Sequence, residues 1–190
     1  MEHPRDAKKD VGRPARLMRL IAACLDPRAW AHGIKLLNFY NYTHVSELRR
    51  IQRSANVRIS PTASFANGHN ISLGARVRIG AGVHVWAGQT NGQILLGEDV
   101  MIGPNVMITA ASYDFNDGSP VTEQPMKEAD VTIGRDVWLA YGVVVLPGTV
   151  IGDGAIVAAN TVVRGSVPKN AIVAGNPMEL VGTRQTKASD

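Results

Sequence analysis

Stepping by six from Ile133 lands on Ile133, Leu139, Val145, Ile151, Val157 and Val163, an unbroken aliphatic row. The residue after each is small at Gly134, Ala140, Gly152 and Ala158, with Leu146 and Arg164 as exceptions. Four residues after each aliphatic runs a second row: Val137, Val143, Thr149, Ala155, Thr161 and Val167. The grid returns upstream in two other registers. Leu73, Ile79 and Val85 are accompanied by Val77 and Val83; Leu96, Ile102 and Ile108 are accompanied by Val100 and Val106. A period of six fits neither a helix nor an ordinary alternating strand. It predicts an all-β solenoid whose coil is three units, each a short strand and a corner. One aliphatic per strand points inward and stacks on its equivalent about 4.8 Å away. The small neighbour lets the backbone bend at the corner, where glycine accepts positive φ cheaply.

Two segments break the grid. Residues 109–132 leave it after Ile108, and their Asp, Asn, Gly, Ser and Pro content predicts a projecting loop. A smaller break at Gln89–Gln93 reads as a turn near Asn91-Gly92. Ahead of the coils, Asp26-Pro27 predicts an N-cap and first helical residue. The segment that follows, with Trp30, Ile34, Leu37 and Phe39-Tyr40, is expected to be helical and to cover the open edge of the first coil. An interfacial membrane role, resting on Arg13, Arg16 and Arg19, is the alternative. The expected organisation is a basic, partly helical front segment over 1–54, the solenoid over 55–182 and a disordered tail over 183–190. Residues 1–12 are expected to be disordered as well.

Composition agrees with a β architecture of tight corners: 45% hydrophobic residues, only 5% aromatic, and 19 glycines. Cys24 is the single cysteine, so nothing asks for an oxidising compartment, and cytoplasm is the default expectation. The apolar run Leu20–Leu25 is too short to span a bilayer, and no small-residue cleavage site follows it. The net charge of +4 is uneven: residues 1–60 carry twelve Lys or Arg against five acids, and residues 61–190 eight against eleven. Such a front end could meet an anionic membrane surface, or it could be a solvated face. No aromatic–basic interleaving points to nucleic acid.

The unit Ile-Gly-x-x-Val-x, as in Ile133–Trp138, resembles the signature of the hexapeptide-repeat, left-handed β-helix acyltransferases. The resemblance covers about residues 55–182 and is closest to the sugar and polysaccharide O-acetyltransferases. It is carried by Ile133-Gly-Arg-Asp-Val-Trp138, by Leu146-Pro-Gly-Thr-Val-Ile-Gly-Asp-Gly154, and by Val167-Pro-Lys-Asn-Ala-Ile-Val-Ala-Gly-Asn-Pro177. It implies a left-handed helix, a homotrimer, and acetyl-CoA lying in a groove between adjacent subunits. It also implies a saccharide hydroxyl as acceptor, in surface polysaccharide or lipopolysaccharide modification. No metal or further cofactor is implied.

Transfer of an acetyl group to a hydroxyl needs a docked thioester, a base for the proton and donors for the oxyanion. In the resembled family the base is a histidine on the excursion loop. Ala111-Ser112-Tyr113-Asp114-Phe115 falls there, with Tyr113 in the histidine's place. Three accounts stand open. Tyr113 polarises the acceptor while Asp114 takes the proton; His84 or His69 supplies an imidazole from another coil; or the site binds without turnover. The resemblance also places Ala140, Tyr141, Ala159 and Arg164 against the CoA arm and its phosphates, and Trp138 and Glu123 by the acceptor. Small residues are usual where Tyr141 stands. A non-catalytic trimeric scaffold or binding protein is the alternative function, motivated by Tyr113. A zinc hydratase on the same fold needs three converging histidines, and the coils offer only His69 and His84. A nucleotide-sugar N-acetyltransferase with a βαβ front end lacks its Gly-rich strand–turn–helix here.

Overall fold

The computed structural model describes residues 12–185. The chain divides into two compact units, residues 1–41 and 42–190. In the first, helix α1 spans Arg13–Leu25 and helix α2 spans Pro27–Tyr40. Asp26 ends one and starts the other: its carboxylate accepts from the backbone N–H of Arg28 at 2.8 Å, and Pro27 takes the first turn where no N–H is needed. Trp30 Nε1 donates to the carbonyl of Cys24 at 2.7 Å, tying the two helices together. Neither helix buries a residue.

The second unit is a three-faced parallel solenoid. The first face stacks six strands, beginning at Gln52–Arg53 and ending at Ser166–Val167. The second runs from Arg58–Ile59 to Ala171–Ala174 and adds Glu179–Thr183. The third runs from Ser64–Ala66 to Val162–Val163. Every aliphatic of the six-residue row and every member of the second row is buried, from Ile133 to Val163 and Val137 to Val167. The ladders stack them directly: Ile102 on Leu139 on Val157, and Ile108 on Val145 on Val163. Thr149 and Thr161 sit in the core because each hydroxyl has a backbone partner, the carbonyl of Val163 and the N–H of Gly175.

The corners divide the labour differently from the sequence expectation. The small residue after the aliphatic is needed for space and not for positive φ. A Cβ at Gly74 would stand 2.5 Å from the backbone carbon of Gly97, and one at Gly97 would stand 2.7 Å from that of Gly134. Positive φ falls two residues later, at Asp136, Gly142, Gly148, Gly154 and Asn160. Asn and Asp tolerate that region because their short side chains bond locally.

The solenoid's open end is covered by residues 44–51, which sequence reading assigns to the front segment. A π-helical turn, Asn41–Val45, places His44 in the core end, where Nδ1 donates to the carbonyl of Ala63 at 2.6 Å and the ring meets Phe65. Glu47, also buried, accepts from the N–H of Gly68 at 2.6 Å. Residues 44–51 thus make that cover from within the solenoid's own unit, and the side chains of Trp30, Ile34 and Leu37 are exposed. At the far end Glu179–Thr183 pairs antiparallel with Ala171–Ala174. Arg184, expected in the tail, donates its N–H to Asn170 and pairs with Asp136 at 2.9 Å. The rest of that tail, 186–190, and residues 1–11 lie outside the described residues.

Candidate functional site

The excursion at 109–132 is a short antiparallel hairpin at its base. Ala111–Tyr113 pairs with Met126–Glu128, setting Tyr113 opposite Met126. The Asp114 N–H donates to Pro125 and closes the pairing; beyond it a 3-10 turn, Val121–Glu123, forms the outer part. The hairpin rises from the end of the third face and encloses a cavity of about 520 Å³ against it. Its floor is drawn from two outward rows of that face, Met107 from one and Trp86 and Leu146 from the other; its wall is Ser112, Tyr113 and Met126. Nearly half of Trp86 and Tyr113 is open to solvent, so apolar surface here is available to a ligand.

Glu128 fixes the hairpin to the neighbouring loop. Its carboxylate accepts from the backbone N–H groups of Gln89, Asn91 and Gly92 at 2.8, 2.6 and 2.8 Å, and from that of Thr90 at 3.2 Å. Bonds from Gly92 and Asn91, aided by Thr90 and Gln89, hold the carboxyl down at about 2, against the opposing effect of burial. Such a group keeps its charge and its lone pairs are spent, so it anchors and does not accept a substrate proton. Gly92 is required by close approach, since a Cβ there would stand 2.7 Å from the carbonyl oxygen of Ala110.

His84 lies on the third face, outward like Trp86 two residues on, and its ladder partners are Ser64 and Met107. Its Nδ1 and the Ser64 hydroxyl are 2.6 Å apart, a bond in which either can donate. Its ring centroid is 5.4 Å from a Trp86 ring. Its neighbours Trp86 and Met107 line the cavity and His84 itself does not, so the imidazole stands beside that lining with its orientation set by Ser64.

The remaining candidates separate. Leu146 N–H donates to Val163, which puts Arg164 one coil beyond Leu146 in the same row; its side chain is exposed. Tyr141 and Ala159 occupy equivalent corner positions of consecutive coils, and Ala140 precedes them at the same corner. The Tyr141 hydroxyl accepts from Asn105 Nδ2 at 2.9 Å. Trp138 is elsewhere, on the second face in a row with Met101 and Ile156, beside a separate cavity of about 340 Å³ flanked by Asp136 and Arg184. Glu123 is exposed on the outer turn, and neither it nor Asp114 lines the larger cavity. His69 is exposed in the 3-10 turn Gly68–Asn70, apart from that lining. Among the described residues no three His, Cys, Asp or Glu side chains group as metal ligands.

Sequence reading missed Ser64, Trp86, Met107 and Glu128. Ser64 and Met107 lie 20 and 23 residues from His84 in ladder register, Trp86 lies two residues beyond His84, and no local pattern marks the three. Gly88 and Gly92 in the short break were the available sign that a backbone loop wraps something closely.

Comparison with known proteins places this solenoid. The family model "Bacterial transferase hexapeptide (six repeats)" matches residues 130–165. WcaF of Escherichia coli (strain K12), named as a colanic acid biosynthesis acetyltransferase, is 30% identical over 129 residues, 68% of this chain and 67% of its own. WbbJ of the same strain, named as a lipopolysaccharide biosynthesis O-acetyl transferase, is 40% identical over 100 residues, 46% of this chain; the match spans 49% of WbbJ, about half its length. A hexapeptide-repeat acetyltransferase of Vibrio cholerae O1 biovar eltor, solved with acetyl coenzyme A, superposes with a TM-score of 0.65 at 23% identity, over 75% of this chain and 76% of its own. That likeness shows the fold, a left-handed parallel β-helix. This chain belongs to the hexapeptide-repeat transferase family.

Proposed function

We propose that this chain transfers an acetyl group from acetyl-CoA to a saccharide hydroxyl, in the modification of a surface polysaccharide or lipopolysaccharide. The observation that carries the reading is the cavity between Trp86, Met107 and the Tyr113 hairpin, with a Ser64-oriented imidazole at its margin. The relatives' names supply the acceptor class.

His84 is the general base in this reading, its imidazole held by Ser64. The acceptor hydroxyl gives its proton to Nε2, its oxygen bonds to the thioester carbonyl carbon, the C–S bond breaks, and the proton passes to the departing thiolate. Tyr113 donates its hydroxyl hydrogen across the cavity to the acceptor or to the developing oxyanion. Asp114, exposed beside it, is held by its own N–H and is the alternative base. Ala140, Tyr141 and Ala159 border the donor at the corner, and Arg164, further along the cavity's row, pairs with a phosphate.

The assembly in this reading is a homotrimer. It brings the second face of one copy, with exposed Met101 and Trp138, to the cavity of the next, and Glu123 on the outer turn toward the same acceptor. The reading locates the enzyme in the cytoplasm, where acetyl-CoA is available. Among the described residues no helix is long and apolar enough to cross a membrane.

The second reading, a binding protein without turnover, is favoured by Tyr113 in place of a histidine and by the ring of Tyr141 at the corner. Calorimetric titration with acetyl-CoA separates these. Micromolar binding that weakens in Arg164→Ala, with acetyl transfer lost in His84→Ala, supports the enzyme. Binding without transfer to any of a panel of sugars favours the second reading; no binding at millimolar acetyl-CoA removes the donor site altogether. A monomeric mass in solution would remove the shared groove.

A further inference from the structure

The two front helices present thirty consecutive exposed residues, 12–41, within which the apolar side chains are arranged in stripes. On α1, Leu17, Leu20, Ile21 and Cys24 follow helical spacing along one side, with Arg19 toward the opposite side. On α2, Trp30, Ile34 and Leu37 share a side, and Arg28, His32 and Lys35 share another. Leu20, Trp30, Ile34 and Leu37 each leave 62–68% of their surface in water. A contiguous apolar stripe of that size on a protein surface marks an interaction site.

We infer that α1 and α2 dock on an anionic lipid surface, with Leu20, Ile21, Trp30, Ile34 and Leu37 entering the headgroup boundary and the cations meeting lipid phosphates. Charge selects this occupant. Of the cations in residues 12–41, Arg13, Arg19, Arg28 and Lys35 supply the positive face, and the one acid of that span, Asp26, caps the Arg28 N–H. A second copy of the same helices would bring these cations against their equivalents. A nucleic acid would use the cations and leave the leucines and Trp30 in water. An anionic bilayer satisfies both stripes at once, in the manner of helices lying in the membrane plane. The inference does not depend on the chemistry at the cavity, so a chain without acetyl transfer can still pass its test.

The test is flotation of the full chain with vesicles of phosphatidylcholine alone or mixed with phosphatidylglycerol. The chain is expected to float with the mixed vesicles, to remain behind with phosphatidylcholine, and to be released as salt rises. Arg19→Gln with Lys35→Gln should weaken partitioning roughly 30-fold, about fivefold for each cation. Leu20→Ser with Ile34→Ser should abolish flotation while the solenoid melts as before, since neither side chain is buried. No flotation with mixed vesicles would overturn the inference. So would flotation that survives the apolar pair, which would assign the face to polyanions in general. A solution mass that falls in Leu20→Ser with Ile34→Ser would assign it to a second copy instead.

Discussion

Replacing Gly97 by alanine tests whether coil-to-coil contact, and not corner conformation, demands the small residue after each inward aliphatic. The added Cβ would lie 2.7 Å from the Gly134 carbonyl carbon and 2.8 Å from both the Gly134 oxygen and the Arg135 nitrogen. All three are backbone atoms, so no side chain can swing away. Reaching ordinary contact at 3.4 Å requires the coils to part locally by about 0.7 Å (3.4 less 2.7). Two ladder bonds flank that point, Gly97 N–H to Ile133 and Asp136 N–H to Glu98, both 2.8 Å. Stretched to about 3.5 Å they are lost, at about 0.5–1.5 kcal/mol each. Residual overpacking adds about 1–3 kcal/mol. Opposing this, alanine stiffens the unfolded chain by about 0.4–1 kcal/mol. The steric terms win, leaving a net loss of about 1–5 kcal/mol, centred near 3, or roughly 5–12 °C at that centre in the melting of a chain this size. The assay is thermal unfolding followed by β circular dichroism. Gly33→Ala is the control, because a Cβ there meets nothing within 4 Å. A Gly97→Ala protein that melts within a degree or two of the original would refute the close-approach account.

Leu139→Ala empties a fully buried position between Ile102 and Val157 and should cost about 2–5 kcal/mol, read as a lowered urea midpoint at unchanged slope. Glu128 has its folded pKa held at about 2, below the unfolded carboxylate near 4.5, so its contribution is present above about pH 4.5 and fades as pH falls through about 2. Hydrogen exchange of the Gln89–Gly92 amides should therefore stay slow down to about pH 3 and become fast in Glu128→Gln; unchanged protection in that variant would show that the carboxylate does not hold the loop. Ser64→Ala should lower the acetyl-transfer rate about tenfold through the loss of the His84 partner, whereas His84→Ala should lower it about 10²-fold or more. An unchanged rate in His84→Ala would mean that the imidazole takes no proton in the reaction.

Much of the molecule was written in the chain. The six-residue spacing by itself selected Ile133, Leu139, Val145 and their successors as the inward rows, because only that period brings each strand's centre back to the same axis; all of them are buried. The excursion and the Asp26-Pro27 helix start were equally local, since Pro, Gly and Asx residues act on their own backbone. The site was not local. Ser64 and His84 meet because one coil is 20 residues long, and His84 meets Met107 because the next is 23; one residue more or fewer would offset each pair. Glu128 reaches Gln89–Gly92 across 36–39 residues because the hairpin and the short break both leave the solenoid at the same corner. Trp138 and Tyr113 are 25 residues apart, yet Trp138 stands on the second face and Tyr113 on the hairpin that leaves the third. Sequence determined which residues point inward, through a repeating period; tertiary structure decided which outward residues share a cavity, because coil length, set by the insertions, fixes the register between coils.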